Sequence, residues 1–139
     1  MNHQLAIVAC VTALAFLAHV LVGIPQSLTA EPAKLADKAK ADGLEIPQRH
    51  WVQLMCAFQL VTVDLLALSV LLFLLAFTDV LVQKQMIGFS LSVLYFLWGC
   101  SWLLQLFTLK RPAKDYLLLG QWLFWFGCSA LIYWGSLSL

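Results

Sequence analysis

Residues 51–77 read WVQLMCAFQLVTVDLLALSVLLFLLAF, and this stretch decides the fold. It holds one charge, Asp64, in 27 residues. A helix crosses the hydrocarbon core of a bilayer with about 20 apolar residues, so the stretch is long enough to span one. Its apolar residues are continuous rather than alternating, which predicts a helix and not a strand of a membrane barrel. Three further stretches are of similar length and carry no charge: Leu5–Ile24, Met86–Leu109 and Tyr116–Leu139. Pro25, the run Pro47-Gln48-Arg49-His50, the segment Asp79 to Lys84, and Lys110-Arg111-Pro112 bound them. The expected fold is all-α: an integral membrane four-helix bundle forming a single domain over 1–139. Its helices fall at about 5–24, 51–77, 86–109 and 116–138, with a cytoplasmic loop at 25–50.

Composition supports lipid as the solvent. Hydrophobic residues make up 63% of the 139 and charged ones 11%, against about a quarter charged in soluble domains. The formal charge of +1 offers no basic face for a nucleic-acid partner. Cys10, Cys56, Cys100 and Cys128 fall in four different apolar stretches without CxxC spacing, which predicts buried free thiols. His19 and His50, expected at the cytoplasmic ends of the first two helices, are too few to predict a metal site. No GxGxxG or GxxxxGK[ST] occurs, so nucleotide phosphates have no glycine loop to bind. Asp64, Asp79 and Asp115 lie at different depths, which leaves no Ser/His/Asp set. No cofactor follows from the sequence.

Basic residues set the direction of insertion. Lys34, Lys38, Lys40 and Arg49 lie in the first loop, Lys110, Arg111 and Lys114 in the third, and Lys84 in the second. Placing the first and third loops in the cytoplasm puts seven of the eight inside and both termini outside. The first stretch lacks a positive n-region before Leu5, so it is expected to stay as a helix rather than be cleaved before Glu31. Within the first loop, Thr29 is positioned to cap a short amphipathic helix. That helix would run past Pro32, Lys34, Leu35, Lys38 and Ala39 to a stop at Gly43. The compact loops suit a bacterial inner membrane.

Small residues predict how the helices pack, because membrane helices associate where backbones can approach closely. Gly88, Ser92 and Gly99 share one face of the third helix. Leu97-Trp98-Gly99-Cys100-Ser101 is echoed by Trp125-Phe126-Gly127-Cys128-Ser129. Both are read as seams of an antiparallel hairpin closed at Lys110 to Asp115.

Asp64 stands near the centre of its span, where a carboxylate costs several kcal/mol unless paired, hydrated or protonated. It is expected to face the bundle interior. The cytoplasmic halves of the helices also collect Gln53, Cys56, Gln59, Trp98, Ser101, Trp102, Gln105, Gln121, Trp122 and Trp125. Trp98, Ser101, Trp102 and Gln105 form one stripe, Gln121 and Trp125 another, and Gln53 shares a face with Asp64. Polar groups in lipid need partners, so these residues are expected to converge as interhelical contacts or as a pocket with Arg49 at its mouth.

The length, four helices, outward termini and cytoplasmic first and third loops resemble the MAPEG family of glutathione- and eicosanoid-handling membrane enzymes. The family's pattern at the start of the second helix is Arg, Asn four residues on, then Glu three further. Arg49, Gln53 and Cys56 occupy these positions here. The resemblance implies a membrane enzyme acting on a hydrophobic substrate, with Arg49, Gln53, Asp64 and Tyr95 as working groups. Cys56 cannot replace the glutamate, and no intramembrane arginine is present to activate a thiol. The residues themselves favour a non-catalytic accessory subunit or a binder of a hydrophobic small molecule. A proton-linked transport component using Asp64 is a further alternative, and the expected partners are the bilayer and a homo-oligomer or larger membrane complex.

Overall fold

In a computed structural model, residues 2–31 and 48–139 are described, and every regular element among them is helical. Helix α1 (His3–Ala18) continues through a π-helical turn (His19–Gly23) into α2 (Ile24–Thr29), giving one helix over His3–Thr29. Then follow α3 (Gln48–Phe77), α4 (Lys84–Thr108), α5 (Ala113–Leu118) and α6 (Gln121–Ser136). The helices His3–Thr29, Arg49–Phe77 and Lys84–Thr108 are each long and apolar enough to cross a membrane. The amphipathic helix expected in the first loop falls on 32–47, outside the described residues.

Two boundaries differ from the sequence reading. Pro25 lies inside the first helix rather than at its end. The Ile24 N–H bonds the His19 carbonyl five residues back, which resets the hydrogen-bond register. Pro25 then falls in the first turn of α2, where its missing N–H leaves no donor unmatched. Thr29 ends that helix, its hydroxyl donating to the Gln26 carbonyl at 2.6 Å.

The stretch 116–139 is not one helix. The backbone leaves helical geometry at Leu119 (φ −104°, ψ 46°) and Gly120 (φ −69°, ψ 16°). At 1.5 Å per residue, the 16 residues of α6 span roughly 24 Å, less than the core of a bilayer. The break frees carbonyls that must find donors in an apolar setting. Two indoles supply them: Trp102 Nε1 donates to the Leu119 carbonyl at 3.0 Å and Trp122 Nε1 to that of Tyr116 at 2.7 Å.

By its contacts the chain divides into residues up to Ala9 with Leu71–Leu139, and Cys10–Val70. The first unit is organised by α4 and α6. Gly88 meets Ser136, the Ser92 and Ser129 hydroxyls each donate to the other residue's carbonyl (3.0 and 2.8 Å), and a Cβ on Gly99 would lie 2.6 Å from Phe126. Rising numbers on one helix pair with falling numbers on the other, so the hairpin is antiparallel along the expected seam. Gly127, the echo of Gly99, has open space where its Cβ would be. The echo in sequence is therefore not an echo in packing.

The α4 end of the hairpin is closed by a 6→1 bond from the Arg111 N–H to the Leu106 carbonyl and a 5→2 bond from Lys110 to Phe107. This arrangement needs a left-handed residue, and Lys110 takes it at φ 50°. Arg111 Nε then donates to the Asp115 carboxylate at 2.7 Å. At the opposite end Asn2 joins three elements. Its Oδ1 accepts the Leu5 N–H (3.1 Å) as a cap for α1, its Nδ2 donates to the Gly135 carbonyl (2.7 Å), and its own N–H reaches the Ala76 carbonyl (3.2 Å). Leu5, Val8, Leu72, Leu75, Leu91, Tyr95 and Ile132 are buried here.

Within Cys10–Val70, the π turn meets α3. The His19 ring stacks on Phe58 at 4.0 Å between centroids, and Nε2 lies 3.2 Å from the Phe58 carbonyl. That oxygen can only accept, so Nε2 carries the hydrogen. Gly23 leaves room for the Phe58 ring, whose Cζ stands 3.1 Å from the position of a Cβ.

Candidate functional site

The expected aromatic and polar groups separate into two sets with different fates. Aromatic groups of the hairpin come together. Tyr95 is fully buried, with Trp125 at 5.5 Å edge-on and Trp98 at 6.0 Å; Trp98 and Trp125 meet at 4.8 Å, and Phe124 backs Trp125 at 4.6 Å. This cluster fills its own interior and reads as packing rather than as an open pocket. Trp102 and Trp122 are committed to the carbonyls of the helix break. Ser101, Gln105 and Gln121 are exposed.

The polar groups of α3 face outward. Arg49, Gln53, Cys56, Gln59 and Asp64 are all exposed. This corrects the expectation that Asp64 points into the bundle interior. The buried face of α3 belongs instead to Leu65, Leu68, Ser69, Leu72, Leu75 and Ala76. Ser69 satisfies itself by donating to the Leu65 carbonyl at 2.7 Å. A carboxylate cannot make such a bond to a carbonyl, because both groups only accept. Gln59 Oε1 accepts from the Thr62 hydroxyl at 3.2 Å, whereas Gln53 and Asp64 have no hydrogen-bond or ion-pair partner among the described residues.

Gln53, Ala57, Leu60, Asp64 and Ala67 follow one another at intervals of four, three, four and three, and all five are exposed. That spacing keeps them on one stripe of the helix. Asp64 lies thirteen residues from both Trp51 and Phe77, about 20 Å from either end at helical rise. A lone carboxylate at that depth costs about 3 kcal/mol on insertion scales.

Other polar features carry less. A hollow of about 410 Å³ lies where Asn2, His3, Gln4, Thr78, Asp79, Lys84 and Ser138 meet. Only Asn2 announces it in the sequence, as a capping residue before an apolar run. The Lys84 ammonium donates to Asp79 at 2.6 Å, and this hydrogen bond and charge hold the Asp79 carboxyl below its ordinary value. Among the described residues no three His, Cys, Asp or Glu side chains gather as metal ligands, and His50 is exposed. All four cysteines are free; Cys128 is buried, Cys100 half-buried, and Cys10 and Cys56 face outward, contrary to the expectation of four buried thiols.

The chain has no significant match among protein-family models, curated proteins or solved structures. The likeness to the MAPEG family rests on length and helix pattern alone. Of the residues it would use, Arg49 and Gln53 are exposed on α3, while Tyr95 is sealed in the aromatic cluster of α4 and α6.

Proposed function

We propose that the protein is a non-catalytic accessory subunit of a larger membrane assembly, docked through the outward polar face of α3. The observation that carries the reading is Asp64: a mid-span carboxylate, exposed and without a hydrogen-bond or ion-pair partner among the described residues. Hydrocarbon offers such a group no solvation, and in this reading a neighbouring polypeptide supplies it.

In this reading α5 and α6 together make the fourth crossing. Asn2 supports it, since its side chain holds the start of the first helix to the Gly135 carbonyl near the end of the last. A chain whose two ends meet at one membrane face has crossed an even number of times. With Lys34, Lys38, Lys40, Arg49, Lys110, Arg111 and Lys114 in the cytoplasm, that face is the outer one. A bacterial inner membrane suits the short loops.

Native mass spectrometry of the protein extracted from its own membrane in mild detergent tests this. The expected result is a complex with a different polypeptide that Asp64→Leu abolishes while the chain stays folded. A monomer retaining a lipid, quinone or thiol overturns it in favour of small-molecule binding.

A further inference from the structure

We infer that the occupant of the α3 stripe is a transmembrane helix of another polypeptide carrying a lysine or arginine at mid-membrane depth. The inference rests on the assembly reading above and adds the chemistry of the partner.

Charge complementarity decides it. Asp64 is the only Asp, Glu, Lys or Arg inside the four apolar stretches: the eight Lys and Arg residues lie at positions 34, 38, 40, 49, 84, 110, 111 and 114, all outside them. A second copy of this chain therefore has no cation to bring to Asp64. Two copies facing through the same stripe would set carboxyl against carboxyl, which requires a proton to be held there. A basic side chain neutralises the carboxylate without that protonation, and in a low-dielectric medium the attraction between opposite charges is strong.

The shape of the stripe agrees. Its four-three spacing is that of a helix-packing seam. Ala57 and Ala67 stand on either side of Leu60 and Asp64, and small residues let a second backbone come close. Lysine and arginine then have the reach to place their charged ends beside the carboxylate while their methylene stems stay in the apolar contact. Gln53, eleven residues before Asp64 on the same stripe, offers both a donor and an acceptor to the same partner.

The test uses the full chain reconstituted in phosphatidylcholine vesicles with leucine-rich transmembrane peptides of about 23 residues. Each peptide carries Lys, Leu or Asp at its centre, and association is read by energy transfer. The Lys-centred peptide is expected to associate about tenfold more tightly than the Leu-centred one, the size of a polar contact between membrane helices. Asp64→Asn, which keeps the shape of the side chain, removes the difference. Asp64→Lys reverses it, so that the Asp-centred peptide is preferred. Equal binding of the Lys- and Leu-centred peptides overturns the inference, as does a preference that survives in Asp64→Asn. Self-association that depends on Asp64 also overturns it, and makes a second copy the occupant. The native complex separates this failure from that of the assembly reading. A heteromeric complex that survives Asp64→Leu leaves the accessory role standing on another face, whereas its absence from the native membrane removes both.

Discussion

The hairpin of α4 and α6 and the long helix α3 draw on the same kinds of residue and use them in opposite ways. In the hairpin, Gly88, Ser92 and Gly99 are turned toward the partner helix, and the two serines each donate to the other's backbone. In α3, Gln53, Ala57, Asp64 and Ala67 are turned away from the packed side. A serine hydroxyl can be satisfied by a neighbouring carbonyl, so it is compatible with a closed seam. A carboxylate, which only accepts, cannot be satisfied in that way. The hairpin satisfies its own small polar groups, whereas the exposed stripe of α3 holds a carboxylate with no partner among the described residues.

The sharpest way to break that comparison is at Asp64. Asp64→Leu is expected to improve membrane insertion of the 48–77 segment by about 3 kcal/mol in a translocon assay without lowering the thermal stability of the isolated chain. A loss of stability would mean that its own chain holds the carboxylate after all. Next, Gly88→Leu forces a side chain into Ser136 and is expected to destabilise the hairpin by about 2–3 kcal/mol in detergent unfolding. Gly127→Leu, placed in open space, should shift it by less than about 0.5 kcal/mol. Equal effects at the two glycines would restore the symmetry their sequence context suggests.

Smaller effects sharpen the hairpin side. Ser92→Ala and Ser129→Ala should each cost about 0.6 kcal/mol and add nearly independently, because each hydroxyl bonds the other residue's backbone rather than depending on its side chain. A strong coupling in the double-mutant cycle would show that the 3.3 Å approach of the two hydroxyls matters more than the carbonyl bonds. Lys110→Gly should stabilise the closing turn by roughly 0.5–1 kcal/mol by relieving the left-handed backbone, read as a raised melting temperature. The smallest effect is at Asp79, fully exposed beside Lys84. Its carboxyl is held below the ordinary 3.8, so the pair's contribution is present above that value and lost as pH falls below it. Melting at pH 7 and pH 3 should show a slight difference that Lys84→Ala removes.

Much of the helical layout is legible in the sequence because lipid is a demanding solvent. A run as apolar as 51–77 has no other stable backbone in a bilayer, and its observed helix starts three residues earlier and ends at the expected Phe77. The seam of Gly88, Ser92 and Gly99 is legible for a related reason, since only small residues permit close approach. The break at Leu119 and Gly120 is not legible, because one glycine in an apolar run also occurs in unbroken helices. What stabilises the break is Trp102, seventeen residues before Leu119, and no local pattern connects them. Pro25 misleads in the same way, because the π turn before it resets the register in which a proline is tolerated.

Sequence alone determined the all-helical class, three of the four expected helices of membrane length and the central position of Asp64 along its helix, because these depend on apolar length and helical rise. Which way Asp64 points was decided only in the tertiary structure. Helical periodicity places residues on a common stripe without saying which stripe is buried. The packed stripe is the one that carries Leu65, Leu68 and Leu72, where apolar side chains fill the contact, and Asp64 lies off it.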